Sequence, residues 1–298
     1  MIKISNSRGI TEVVFSKDSL VSFIPKKGDN IIISDFFFKP ILEKVVDNVI
    51  YISPDESSKE ISSVISLLSK ILKDYDTLPK QIYSIGGGII QDISGYMASM
   101  IKRGIKWIYI PTTMAAQCDS CIGSKISLNL DGIKNQLGLF YPPQKIIILP
   151  HLLDSLPVRE YWSGFGEIMH YFLQKSFKED IILAEKYLSS LVINNNPNTD
   201  LLIEVLQRSL SIKKTFIEID EFDTNERKAL NFGHTIGHSL EYSSMNLIPH
   251  GIAVLLGIKI VLDFSNKNKD FHISKKVLTI LEKALVSSSL YWNFPLDK

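Results

Sequence analysis

The chain has only two cysteines in 298 residues, too few for the disulfide framework that staples small secreted domains. It has no apolar run near the roughly 18 residues of a membrane-spanning helix. Its first residues, MIKISNSRGI, lack the apolar stretch of a secretory signal. It also lacks a charge excess: 33 Lys and Arg stand against 32 Asp and Glu, a net charge of +1. No strong overall field draws such a chain to nucleic acid or an anionic membrane, although local anion sites remain open to it. Repeats and low-complexity tails are missing too. These absences leave a globular enzyme of the cytoplasm as the expectation, and the length allows two domains or one large one.

The two thiols form a C-x-x-C pair, Cys118 and Cys121. That spacing serves in redox pairs and in half metal sites. A redox motif should open a helix in a smaller fold of another kind, and a structural zinc needs two more ligands nearby. Beside a strand end, the pair reads as small packing residues.

What is present alternates. NIIIS (30–34), VIYIS (49–53), QIYSI (81–85), KWIYI (106–110) and KIIIL (145–149) are short β-branched and aromatic runs, apolar nearly throughout, as strands covered on both faces are. Between some of them lie segments of helical period; one carries Val64, Leu67, Leu68, Ile71 and Leu72 on one stripe. The alternation predicts an α/β domain over 1–150 with a mostly parallel sheet. From Val158 onward the segments read as helices, which predicts an all-α domain over 151–298, with the boundary near LPHLLDSLP (149–157).

Three stretches carry chemistry. SIGGGIIQD follows a strand and opens a helix, so Gly86 to Gly88 allow a phosphate to approach the backbone at a helix N-terminus; a plain tight turn explains the glycines equally well. The segment 110–143 crowds Thr112, Thr113, Asp119, Ser120, Lys125, Lys134 and Asn135 after a strand end, a set suited to an anionic ligand. SGFGEIMHY places Glu167 and His170 at i, i+3 on one helix face.

Only six histidines occur, and His234, His238 and His250 fall within seventeen residues. Each could bind metal, move a proton or pack. Glu167 among glycines and apolar residues would be costly without a partner or a ligand; with His234 and His250 it makes the two-His, one-carboxylate set common at catalytic zinc. Arg227, Asn231, His234 and His238 fall at i, i+4, i+7 and i+11, one polar stripe of one expected helix, with Glu241 three beyond His238.

The segments PDESSK, GGGIIQD, RGIKWIYIPTT, AQCDSCIGSK, KNQLGLFYPP, LPVREYWSGFGE, RKALNFGHTIGH and HGIAV resemble dehydroquinate synthase and the wider sugar-phosphate cyclases, over about Glu56 to Ile260. The resemblance implies a Rossmann-like NAD domain followed by a helical metal- and substrate-binding domain. It implies a divalent ion, zinc or cobalt, on Glu167, His234 and His250. It implies NAD contacts at Asp35, Glu56, Lys59, Gly87, Gly88, Asp92, Thr112, Thr113, Lys125, Lys134 and Ser155. Asp119, Lys125, Lys134, Asn135, His170, Lys213, Arg227, Asn231 and His238 match substrate-site positions. Arg103 matches an arginine lent to the neighbouring subunit, so a homodimer is implied. His238, one turn beyond His234, is then a substrate or proton-network residue.

The implied reaction converts a seven-carbon acidic sugar phosphate to a carbocycle. NAD transiently oxidises an alcohol, phosphate leaves, and the hydride returns. Two departures bear on the substrate: His170 stands where the family has lysine, and NFPLDK ends the chain some tens of residues before the family does, with Lys298 at that end. Arg227 and His238 favour a carboxylate-bearing substrate. The rival readings are a cyclase of different specificity, a metal-dependent dehydrogenase of the glycerol dehydrogenase type, and an inactive paralogue acting as a binding subunit.

Overall fold

The apolar runs of the first half are strands of one sheet. The computed structural model describes residues 1–26, 30–74, 79–175, 177–194, 197–245, 247–266 and 274–292, and the chain divides into two units, Met1–Leu152 and Leu153–Lys298.

The first unit contains β1 (Ile2–Asn6), β2 (Gly9–Phe15), β3 (Asn30–Asp35), β4 (Val49–Ile52), β5 (Gln81–Gly86), β6 (Lys106–Pro111), β7 (Lys125–Leu130), β8 (Ile133–Phe140) and β9 (Lys145–Ile148), with helices α1 (Lys39–Leu42), α2 (Ile61–Asp74) and α3 (Gly88–Met100). Seven strands form a sheet in the order β1-β2-β9-β6-β5-β3-β4. Every pairing in it is parallel except β1 with β2. Ile31, Ile32 and Ile33 of β3 are all buried; successive side chains point to opposite faces, so both faces must be covered. On one face Ile32, Ile85, Ile110 and Ile147 join Leu20, Phe38 and Leu42 in a single core cluster. α3 packs on β5 and β6 through its buried Ile90, Ile93 and Met97. Of the stripe expected on α2, Val64 and Ile71 are buried and Leu72 remains 38% exposed.

Two features differ from the sequence reading. β1 and β2 extend the sheet, and the polar segment after β6 contains the antiparallel hairpin β7–β8. Its two-residue turn, Asp131-Gly132, has positive φ at both positions (52° and 79°), the conformation that matches the right-handed twist of hairpin strands and for which Asp-Gly is selected. Cys118, on the turn of π-helix before that hairpin, and Cys121, at its C-terminal cap, are buried and not joined in a disulfide.

The second unit contains α4 (Val158–Lys175), α5 (Lys178–Asn194), α6 (Thr199–Ile219), α7 (His234–Ser243), α8 (His250–Asn266) and α9 (Lys275–Ser288). Among the described residues it holds no strand. α4 packs against α5, α6 and α8, and α7 against α8; Trp162, Phe165, Ile168, Met169 and Phe172 of α4 are buried at the centre. Arg227 and His238 do not lie on the single helix expected of them. A 3-10 helix covers Glu226–Asn231, Phe232 turns extended, and Gly233 takes the left-handed φ of 81° before α7 begins at His234. A Cβ on Gly233 would meet Ile258 Cγ1 at 2.5 Å, so the chain turns where it presses on α8. Arg227 and Asn231 therefore do not share the stripe of His234 and His238. Lys298 lies outside the described residues.

Candidate functional site

Glycines set the helix approach in the second unit. A Cβ on Gly166 of α4 would lie 1.8 Å from the carbonyl oxygen of Gly251 on α8, and one on Gly251 would lie 1.8 Å from the Ser163 carbonyl oxygen. Only hydrogen at both Cα atoms permits that approach. Gly251 N–H also donates to Ser163 Oγ at 3.0 Å. The chain neighbours of these glycines, Glu167 and His250, are thereby brought together, with Glu167 Oε1 3.2 Å from His250 Nε2. α7 meets α8 in the same way: a Cβ on Gly257 would lie 2.1 Å from the Gly233 carbonyl oxygen, and one on Gly237 would touch the Ala253 backbone at 3.0 Å. That approach sets His234 Nε2 3.7 Å from Glu167 Oε2.

The ligand atoms of Glu167, His234 and His250 all lie within 4.8 Å of one another. Two donors each about 2.1 Å from a tetrahedral ion sit about 3.4 Å apart, and 3.2 and 3.7 Å bracket that value. Glu167 is 1% exposed, so its carboxylate needs compensation of the kind a cation supplies. His234 Nδ1 is buried and has no hydrogen-bond partner among the described residues. These residues fit a divalent ion.

The surrounding side chains form a histidine cluster. His234 packs edge-on to His170 and to His238, with ring centroids 4.9 and 5.5 Å apart, and His238 stacks on His250 at 5.4 Å. Burial would lower the pKa of His250, but hydrogen bonds to Glu167 and Glu241 outweigh it and push it up to about 10. His238 goes the other way: burial, then the neighbouring His250 and His234, lower it. His170 is buried, and the Gln174 amide lies 3.3 Å from its Nε2. The buried Lys213 places its ammonium 5.9 Å over the ring of Tyr171, which packs edge-on to His170.

Arg227 is buried beyond the end of α6, donating from Nη1 to the Glu221 carbonyl at 2.5 Å and from its backbone N–H to Asp220 at 3.1 Å. Burial would raise the Asp220 pKa, but backbone N–H groups of Thr224, Asn225 and Arg227 bring it to about 2. Asn231 is exposed at the end of its 3-10 turn, and Ser155 is exposed in the turn ahead of α4. The sequence reading gave Glu241 no role. It is the hydrogen-bond partner of His250 Nδ1, at 2.9 Å, and its place seven residues after His234 on α7 was the available signal.

In the first unit, Asp35 and Gly86 end β3 and β5, and Glu56, Gly87–Gly88 and Thr112–Thr113 come just after β4, β5 and β6. These strands are parallel neighbours, so the residues line one carboxyl edge of the sheet, where ligands of open α/β sheets bind. Lys59, 5% exposed, pairs with Asp92 of α3 at 2.7 Å and donates to Asn135 Oδ1 at 2.7 Å. Asn135, held at a φ of 58°, also accepts from Ser127 Oγ at 2.8 Å, and Asn129 joins it to Glu56. Burial raises the Asp92 pKa, Lys59 partly offsets it, and the result is about 6. Asp35 accepts from the Phe37 N–H at 2.9 Å, and burial raises its pKa.

A Cβ on Gly87 would strike Thr113 Cγ2 at 2.7 Å, whereas one on Gly88 would meet nothing within 4 Å. α3 starts there without a side-chain cap, leaving N–H groups of its first turn open to an anion. Lys125 and Lys134 are exposed on the hairpin, and Asp119 is half-buried before it. Arg103 is exposed and follows Lys102 in left-handed backbone, φ 67° and 47°.

Residues 49–163 match the family model of the 3-dehydroquinate synthase N-terminal region, and residues 164–295 that of the C-terminal region. The 3-dehydroquinate synthase of Clostridium tetani is 36% identical over 217 residues, covering 72% of this chain and 57% of that protein. That of Dictyoglomus thermophilum is 36% identical over 253 residues, covering 81% and 69%. The chain thus spans well under two thirds of the Clostridium protein. A crystal structure of 2-deoxy-scyllo-inosose synthase complexed with carbaglucose-6-phosphate, NAD+ and Co2+ shares the fold, with a TM-score of 0.81 at 23% identity over 100% of this chain and 83% of that one. By its two family matches and these relatives, the chain belongs to the 3-dehydroquinate synthase family.

Proposed function

We propose that this protein is a phosphate-eliminating cyclase, converting a seven-carbon acidic sugar phosphate to a carbocycle with NAD and a divalent ion, zinc or cobalt. The observation that carries the reading is the convergence of Glu167, His234 and His250 at ligand spacing. Family membership supplies the reaction class, and the NAD+ and Co2+ of the inosose synthase complex support the cofactors. When bound, NAD takes up and returns a hydride within one turnover, and the ion acidifies a coordinated alcohol and polarises the carbonyl derived from it.

The chain's own groups divide the remaining work. Gly88 and the open first turn of α3 receive the pyrophosphate of NAD, with Gly87, Thr112 and Thr113 beside them and Asp35, Glu56, Lys59 and Asp92 along the same edge. Lys125, Lys134, Lys213 and Arg227 supply cations for the substrate's phosphate and carboxylate. Asp119, Asn135 and Asn231 orient its hydroxyls. Ser155 joins the cofactor contacts. His238, its pKa lowered by burial and by His250 and His234, is suited to accept a proton. His170 takes the place of the family's lysine in the substrate site. Arg103 completes the site of the second subunit in a homodimer.

The test is metal dependence. Chelator-stripped protein should release no phosphate from the substrate, and Zn2+ or Co2+ should restore it together with the carbocyclic product. Full turnover by stripped protein would refute the reading.

A further inference from the structure

Glu241 lies outside the proposed ligand set, yet it touches it. His250 opens α8, and its side chain is 39% exposed, with the rings of His238 and His234 packed beside it. Two groups anchor it. Nε2 faces Glu167 Oε1 at 3.2 Å, and Nδ1 faces Glu241 Oε2 at 2.9 Å. Glu241 sits on α7 with His234 and His238 at i, i+4 and i+7, one face of that helix. A neutral imidazole carries one N–H, and an ionised carboxylate only accepts. When an ion takes the Nε2 lone pair in place of a proton, the one remaining N–H is that of Nδ1, which Glu241 accepts.

We infer that Glu241 is a positioning residue of the metal centre, which holds the His250 ring and its tautomer so that the Nε2 lone pair is aimed at the ion shared with Glu167. The inference rests on the proposal that Glu167, His234 and His250 bind that ion. Carboxylates that receive the second N–H of a ligand histidine fix its orientation and raise its basicity. The geometry also contains a competing set: His238, Glu241 and His250 have ligand atoms within 4.8 Å of one another. Both sets need His250, and a neutral His250 has a lone pair for one ion only. Glu167, 1% exposed, is the carboxylate with the greater need of a cation.

The test is Co2+ binding by calorimetry, with the visible absorption of the bound Co2+ as a second readout, on wild type, Glu241→Ala, Glu241→Gln and His250→Ala. Glu241→Ala should raise Kd by about 10–100-fold while keeping one ion per chain and the wild-type ligand-field bands. Glu241→Gln, whose amide oxygen still accepts from Nδ1–H, should recover most of that loss. Should Glu241→Ala not fold, Glu241→Leu removes the acceptor while keeping the side-chain bulk, and the same result is expected of it. A Kd for Glu241→Ala within about threefold of wild type, below the usual effect of losing such a partner, overturns the inference. So do Co2+ bands altered by both Glu241 variants as strongly as by His250→Ala, because Glu241 would then be a ligand. His250→Ala reports on the underlying reading separately. If it binds the ion as wild type does, the proposed ligand set is wrong and this inference falls with it.

Discussion

Gly166 and Gly251 meet backbone to backbone, so closely that a single methyl on Gly166 would fall 1.8 Å from the Gly251 carbonyl oxygen. Glu167 and His250 follow and precede them in the chain, and their ligand atoms are 3.2 Å apart. The helix crossing and the proposed metal centre are one feature. Gly166→Ala cannot be absorbed by a flexible side chain, because the obstacle is backbone. It should cost at least about 1–3 kcal/mol of stability, as overpacking does, and should weaken metal binding by separating Glu167 from His250. Chemical denaturation and calorimetry measure the two effects. A variant with wild-type midpoint and metal affinity would show that the crossing does not position Glu167.

Gly88→Ala is the opposite case. Nothing in the structure lies within 4 Å of its Cβ position, and alanine in a helix is favoured over glycine by about 0.5–1 kcal/mol. The variant should be as stable as wild type or slightly more so. If the pyrophosphate approaches the start of α3, NAD affinity should nevertheless fall about tenfold, a loss of about 1.4 kcal/mol. Gly87→Val is the less informative change, since its side chain would also collide with Thr113. Unchanged NAD affinity in Gly88→Ala would move the cofactor away from this turn.

Much of this was legible in the sequence, and the limits have physical causes. β3, β5, β6 and β9 showed themselves because both faces of the sheet are covered there, which makes them apolar nearly throughout; β4, the half-buried edge strand, showed itself by its β-branched and aromatic run alone. β1 was harder: among its residues only Ile4 is buried, so no alternation stands out. The β7–β8 hairpin was hidden by its polar ligand-type residues, although Asp131-Gly132 between Leu130 and Ile133 is a strong turn signal. The polar stripe from Arg227 to His238 has helical spacing, but Gly233 breaks it because α8 stands in the way. Glu167, His234 and His250 were conspicuous as rare residue types. Their convergence depends on Gly166, Gly237, Gly251 and Gly257, whose role no periodicity reports. Glu241 was legible only as a carboxylate on the face of α7 that carries His234 and His238; that it reaches His250 depends on how α7 packs on α8, which no spacing reports.

Lys59 and Asp92 separate structure from function in the first unit. Removing the cation with Lys59→Met leaves Asp92, whose carboxyl pKa burial raises to about 6 even against the offsetting Lys59, without its partner at 2.7 Å. A loss of about 3 kcal/mol is expected. Lys59→Met combined with Asp92→Leu removes both charges and should regain most of that stability. NAD binding should stay impaired in the double variant if these residues serve the cofactor. Restored NAD affinity would assign the pair to the fold alone.

His250 gives a pH prediction. Its pKa in the folded, metal-free protein is about 10 against 6.5 for the free side chain. The stability it contributes is therefore complete below pH 6.5 and is lost as the pH rises through 10. Near neutral pH the metal-free protein carries this proton, and a divalent ion must displace it. Zn2+ binding at about pH 7.5 should release about one proton from this residue, seen as a dependence of the calorimetric heat on buffer ionisation enthalpy. Binding without proton release would mean that His250 is not the residue displaced.

A redox-neutral elimination shows itself when both products and the cofactor are followed at once. Protein loaded with NAD and Zn2+ or Co2+ is given the seven-carbon acidic sugar phosphate, and inorganic phosphate, carbocyclic product and reduced nicotinamide are recorded in one time course. The expectation is one phosphate for each carbocycle formed, with no accumulation of reduced nicotinamide over many turnovers. Reduced nicotinamide accumulating in step with turnover, or no phosphate released by protein with both cofactors bound, would contradict it.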